Sequence, residues 1–194
     1  QAFKDVPNFT LVEGDALKTW KEIWQQEGTP DVICAKLPYH VGSIFIASLI
    51  ENRCLPPVMV YTLQSEVVDR ICAKEGSEDF SGFSILCSMD YENSCAFKLS
   101  SGCFFPPPNV DSSVVLMKKR ENPLVPDCDA PKFLELVRVL FAQRRKTVKN
   151  NLKALGKPAS DIDRALAEAG IPQTERAERL GIDQMLSLKR SLWP

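Results

Sequence analysis

Histidine is almost missing from this chain of 194 residues: His40 is the only one. The seven cysteines, at 34, 54, 72, 87, 95, 103 and 128, form no Cys-x-x-Cys pair. One imidazole and unpaired thiols make a poor ligand set, so no metal is expected. An odd number of scattered cysteines reads as reduced thiols in a cytoplasmic protein. No uncharged apolar run approaches the ~18–20 residues that span a bilayer, and no basic-then-apolar segment opens the chain, so neither membrane nor export is expected. Glycine is sparse at 9 residues, and no Gly-x-Gly occurs anywhere. What is there is ordinary: 44% hydrophobic and 25% charged residues, the balance of a globular protein.

Net charge is also nearly absent, at −1, but this conceals an asymmetry. Residues 131–194 carry 13 basic and 7 acidic side chains, a net of +6, and the remainder carries −7. A basic lobe on an acidic one suits a polyanion such as nucleic acid. Arg144, Arg145, Lys146, Lys149 and Lys153 lie within ten residues, and no acid occurs between Glu135 and Asp161. On a helix, 146, 149, 150 and 153 share one face.

Strand and helix signals alternate through the first part. Residues 9–13 read as a strand ending at Gly14-Asp15, 19–26 as a helix, 31–35 as a short buried strand, and 41–50 as an apolar helix. Residues 57–63 read as a further strand, and 65–74 as a helix capped by Ser65. Residues 95–99 and 112–117 read as a terminal antiparallel pair. Such alternation predicts an α/β fold with an open, largely parallel sheet whose ligands bind beyond the carboxyl ends of the strands. A proline-broken linker spans 121–130, and 131–194 is helical in pattern: 133–141, 148–155, 162–169 with Ser160 or Asp161 as cap, and 182–192. The expected organisation is 1–120 as α/β domain, 121–130 as linker and 131–194 as a small all-helical domain.

Two segments sit where strands end. Lys36-Leu-Pro-Tyr39 projects an aromatic ring after a buried strand, where it could stack on a planar base for ~1–3 kcal/mol. Phe104-Phe-Pro-Pro-Pro108 is a second stiff aromatic element, because proline restricts the residue before it. Either alone is more often packing than function.

The ordered set of segments is more specific. Gly14-Asp15-Ala16, Lys36-Leu-Pro-Tyr39, Leu63-Gln-Ser-Glu66, Phe104-Phe-Pro-Pro-Pro-Asn-Val-Asp-Ser112, Gln143-Arg-Arg-Lys-Thr147 with Asn150-Asn-Leu152, and Arg176-Ala-Glu178 resemble the small-subunit rRNA adenine N6,N6-dimethyltransferase family over nearly the whole chain. The resemblance implies a Rossmann-like methyltransferase sheet that uses S-adenosylmethionine, followed by a helical rRNA-binding lobe, in a monomer acting on the small ribosomal subunit. It assigns Asp15 to the cofactor's adenine amine and Tyr39 and Phe104 to a sandwich around the flipped target base. Position 36 and the Pro38 carbonyl would hold the target amine, with position 36 also at the cofactor. Arg144, Arg145, Lys146, Lys149 and Lys153 would grip rRNA phosphates. His40, beside the site, receives no role.

Two departures from the family pattern matter. Lys36 replaces the family's Asn, Asp or Ser, and a lysine has three donors and no acceptor while protonated. Removing one preorganised group of this kind lowers rate by ~10²–10³, so poor methylation is expected. The family's glycine-rich cofactor loop and ribose-binding acid would lie upstream of residue 9, so the chain reads as part of a longer protein and weak cofactor binding is expected. Two rival readings stand beside this one: a non-methylating ribosome-assembly factor, and an Erm-type enzyme acting on large-subunit rRNA.

Overall fold

Side chains along β2 (Val58–Gln64) are alternately buried and half-buried, the period-two signature of a strand inside a sheet. The computed structural model describes residues 6–193. β2 pairs in parallel with β1 (Val32–Lys36) and antiparallel with β4 (Ser112–Lys119), and β4 pairs antiparallel with β3 (Tyr91–Leu99). The order is β1-β2-β4-β3. The expected terminal hairpin is present and longer at both strands, but the expected largely parallel sheet is not. Only one of the three ladders is parallel, because β4 inserts between β2 and β3 in the opposite direction.

One face of this sheet is covered by α2 (Tyr39–Glu51), α3 (Ser65–Cys72) and α4 (Gly82–Asp90). Met59, Tyr61, Leu63, Val115 and Met117 are buried there with Phe45, Ile46, Val68, Leu86 and Tyr91. α1 (Ala16–Glu27) joins this core through Trp20, with Trp24 half-buried beside it. Burial pushes the Tyr61 and Tyr91 hydroxyls and the Cys87 thiol well above their ordinary values, so these groups stay neutral. The opposite face is more open: Val32 is 56% exposed, while Val58, Val60 and Thr62 are half-buried.

α2 approaches β2 closely at Gly42, where an added Cβ would stand 2.4 Å from the Leu63 Cδ2 methyl. Gly42→Ala should therefore overpack the interface by about 1–3 kcal/mol. A urea melt would check this, and unchanged stability would mean that Leu63 can swing aside.

Beyond β4, the chain forms α5 (Ala130–Phe141), α6 (Val148–Leu152), a 3-10 turn (Lys153–Leu155), α7 (Ala159–Glu168) and α8 (Ile182–Leu192). Their apolar stripes form a second core containing Phe133, Leu136, Leu140, Leu152, Ile162 and Leu188. α4 belongs to both cores: Leu86 and Cys87 face the sheet cluster, and Ile85 and Met89 face the helical one. The proline-broken segment before α5 is anchored, with Val125 fully buried and the Leu124 N–H donating to the Met89 carbonyl at 2.8 Å. Lys189 of α8 donates to Asp129 at 2.8 Å, and this bond lowers the Asp129 pKa.

Several local expectations are corrected. Residues 9–13 form no strand: Leu11 is 77% exposed, and no neighbouring strand among the described residues offers the segment a ladder. Gln64, not Ser65, caps α3, and the Ser65 hydroxyl bonds to Ser113 instead. Pro158 precedes α7, which places Ser160 and Asp161 inside its first turn. α4 is absent from the sequence-based expectation because it opens on Gly82, and its capping box uses two serines, Ser81 and Ser84.

Candidate functional site

Strand register brings four chain ends to one rim. Lys36 closes β1 opposite Thr62, and Gln64 closes β2 opposite Ser112. Leu99 closes β3 opposite the same Ser112. The carboxyl ends of β1, β2 and β3 therefore meet the start of β4, and the segments 36–39 and 100–111 both leave from that edge. This is where an open α/β sheet places a ligand.

Pro38 precedes α2 with its carbonyl accepting the Val41 N–H at 2.9 Å, which leaves that oxygen one further lone pair. Tyr39 opens α2, and its hydroxyl shares a 2.8 Å hydrogen bond with Ser112 Oγ, 73 positions away. Ser112 is fully buried, so the bond pins the half-buried Tyr39 ring to the rim. Lys36 is exposed and sets its Nζ 5.3 Å from the centre of that ring.

The other aromatic arrives through the long loop. A 3-10 turn, Ser101–Cys103, is tied down where the Ser101 N–H donates to Asp111 Oδ1 at 3.0 Å. The Asp111 carbonyl in turn accepts the Ser65 N–H at 3.0 Å. Phe104 follows in extended conformation and half-buried, with its N–H donating to the Ser101 carbonyl at 3.2 Å. Tyr39 and Phe104 thus belong to the same rim, linked through Asp111 and Ser112. They make no ring–ring contact with each other among the described residues.

Asp15 immediately precedes α1. It caps α1, with Oδ1 accepting the Leu17 N–H at 3.0 Å, and its other oxygen lies 4.0 Å from Lys18 Nζ. Its neighbours Gly14 and Ala16 line a hollow of about 390 Å³ with Val32, Cys34 and Phe45 along the body of β1.

The basic cluster divides by partner. α6 begins only at Val148, after the Thr147 cap, so Lys146 lies outside it, and Lys153 falls in the following 3-10 turn. The expected single helical face of 146, 149, 150 and 153 does not form. Arg144 donates to the Glu78 carbonyl at 2.7 Å. Lys149 is held by Asp163 at 2.6 Å and by Gln173 at 3.0 Å. Lys153 donates to Asn150 at 3.0 Å. Arg145 and Lys146 are exposed and have no carboxylate partner among the described residues. The neutralising acid has no signature in the local sequence because it comes from α7.

Other chemistries find little support. Burial raises the Cys54 and Cys72 pKa values, which disfavours a reactive thiolate. No group of three or more His, Cys, Asp or Glu side chains gathers as a metal site among the described residues, and no described helix is long and apolar enough to cross a membrane.

A family description, ribosomal RNA adenine dimethylase, matches residues 1–192. The chain belongs to that family. It is 36% identical over 184 residues to "Ribosomal RNA small subunit methyltransferase A" of Treponema denticola, covering 93% of this chain and 62% of that protein. A protein of the same name from Myxococcus xanthus is 35% identical over 193 residues, covering 97% and 67% respectively. The chain thus spans roughly two thirds of the length of these relatives. Among solved structures, a dimethyladenosine transferase from Plasmodium falciparum superposes with a TM-score of 0.77 at 24% identity, covering 96% of this chain and 73% of that one. The 23S rRNA methyltransferase ErmE gives 0.68 at 20% identity, covering 98% and 75%. At these identities both likenesses speak for the Rossmann-like methyltransferase fold alone.

Proposed function

We propose that the protein takes part in transfer of methyl groups from S-adenosylmethionine to N6 of adenines in small-subunit rRNA, as a cytoplasmic monomer. Residues 1–120 would carry the methyl-transfer half, 121–130 the connection and 131–194 the rRNA contact. The observation that carries this reading is the convergence of Lys36-Leu-Pro-Tyr39 and the Phe104 loop on one rim through the Tyr39–Ser112 bond, in a chain with this family's pattern.

An exocyclic adenine amine is a poor nucleophile, since its lone pair is spread into the ring. Acceptors on its N–H groups localise that pair and stabilise the developing positive charge, so positioning and electrostatics replace a strong base. Tyr39 and Phe104 would hold the base between their rings, and the free lone pair of the Pro38 carbonyl would take one N–H. S-adenosylmethionine supplies a methyl group on a cationic sulfur. The residues present fit it in part: Asp15 keeps one carboxylate oxygen for an amine donor, but Lys36 offers no acceptor beside the reacting centre.

Label from the methyl donor should enter small subunits that lack methylated adenines, recovered as N6-methylated adenosine. Incorporation into large subunits instead would turn the assignment to the Erm-type reading. Co-sedimentation with small subunits without incorporation would favour the assembly-factor reading, which Lys36 supports.

For the basic surface, replacing Arg145 and Lys146 by alanine should weaken RNA binding. The salt dependence should flatten by about one unit of slope for each phosphate no longer neutralised, with the melting curve unmoved. Lys149→Ala should instead lower stability by ~1 kcal/mol or less, since it removes a partly exposed ion pair to Asp163. Salt-titrated binding read beside thermal melts separates the two roles. Equal effects of all three on RNA affinity would contradict the division.

A further inference from the structure

Phe105 is 100% exposed, whereas the next most exposed large apolar side chain among the described residues, Leu11, stands at 77%. Its surroundings make this exposure a property of the loop's shape rather than of a loose end. Phe104 is extended, with φ −122° and ψ 152°, and in extended backbone successive side chains point to opposite sides. Phe104 therefore turns toward the rim and is half-buried, while Phe105 turns outward. Pro106, Pro107 and Pro108 follow and restrict the backbone at Phe105. The loop base is clamped by the Ser101–Asp111 and Ser65–Asp111 hydrogen bonds. The ring is thus held out in water on a stiff support, with little ordering left to do when a flat partner meets it.

The charges at the strand ends of the same rim select that partner. Lys36 closes β1, and Lys98 is the penultimate residue of β3. Both are exposed, and neither has a carboxylate partner among the described residues. Aromatic rings and free cations along one rim match single-stranded nucleic acid, where bases stack and phosphates follow the positive groups.

We propose that Phe105 is a second stacking platform, which takes the base next to the one held by Tyr39 and Phe104, with Lys36 and Lys98, on the two edge strands of the sheet, drawing separate phosphates of the strand. This rests on the reading of the rim as a base-binding site. The platform tolerates any base, because stacking uses the ring face and no hydrogen-bonding edge. It would hold the strand open on the far side of the loop while the neighbouring adenine occupies the rim.

The test uses the 194-residue chain and a seven-nucleotide uridine-rich RNA with one central adenine, carrying 2-aminopurine in turn on its 5′ or 3′ side. Binding should quench 2-aminopurine at one of the two flanking positions. Phe105→Ala should abolish that quench and weaken affinity about 5- to 150-fold, while Phe105→Trp retains both. Because the side chain touches only solvent, melting curves of these variants should match the wild type. Affinity within twofold of wild type and an unchanged quench in Phe105→Ala would overturn the proposal, as would failure of the wild type to bind the oligonucleotide. Tyr39→Ala keeps the two readings apart: if it leaves affinity intact while Phe105→Ala does not, the platform stands and the target-base reading falls.

Discussion

Replacing Lys36 by asparagine should raise methyl transfer to small-subunit adenines by about 10²–10³-fold. Asparagine supplies the amide oxygen that a developing ammonium needs, and one such preorganised group is worth this factor in other active sites. Lysine would invert the chemistry twice: it has no acceptor while protonated, and its charge would sit beside both the cationic methyl donor and the amine becoming cationic. Its placement adds a third handicap. With Nζ 5.3 Å from the centre of the Tyr39 ring, the ammonium already engages the ring that a base would stack on. Lys36→Met separates these causes, because it removes the charge without adding an acceptor. It should recover only part of the gain. Rates measured at saturating RNA isolate the reacting centre from binding, which should weaken slightly as a cation is removed. No gain in Lys36→Asn would mean that this side chain does not face the target amine.

Arg53→Ala should destabilise the protein by about 3–5 kcal/mol, the cost of removing one partner of a pair whose carboxylate is buried. Arg53 follows the end of α2 at φ 57°, a left-handed conformation disfavoured for a side chain with a Cβ. It is retained there by a bidentate pair with Asp90, at 2.6 and 3.0 Å, and by Asp127. Asp90 is 2% exposed, so removing the guanidinium strands a buried carboxylate. Asp127 lies on the segment leading to α5 and is 79% exposed, so Asp127→Ala should cost no more than ~1 kcal/mol. Arg53→Gly should be milder than Arg53→Ala by about 1 kcal/mol, since glycine accepts the positive φ. Urea midpoints for the three variants would check this ranking. Equal destabilisation in Arg53→Ala and Asp127→Ala would show that Asp90 finds another partner.

Local signals carry most of the helices and strands to within a few residues. The apolar stripe over 182–192 predicts a helix, and α8 spans Ile182–Leu192, because the stripe is regular and Gly181 precedes it. The failures share a cause. Residues 9–13 have the composition of a strand but no ladder among the described residues, and strand propensity expresses fit to a neighbour rather than a preference of the isolated backbone. Ser65 has the chemistry of a cap, yet its hydroxyl is drawn to Ser113 across the sheet. Lys149 has no acid near it in the chain, yet α7 delivers Asp163. Phe104 and Phe105 read alike as one aromatic element, and only the extended backbone separates their directions.

By itself, the order of residues is sufficient for the α/β class, the helical pattern of 131–194, the family and the two aromatic segments of the candidate site. Each of these is written in short stretches whose periodicity, turns or motifs do not depend on distant partners. The folded chain alone decides that Tyr39 meets Ser112, that Arg53 meets Asp90, and which cations of the basic cluster remain free. Those outcomes depend on strand register and on which helix faces meet. Register is set by burial summed over a whole sheet, so the information is spread across the molecule and cannot be read from any one segment.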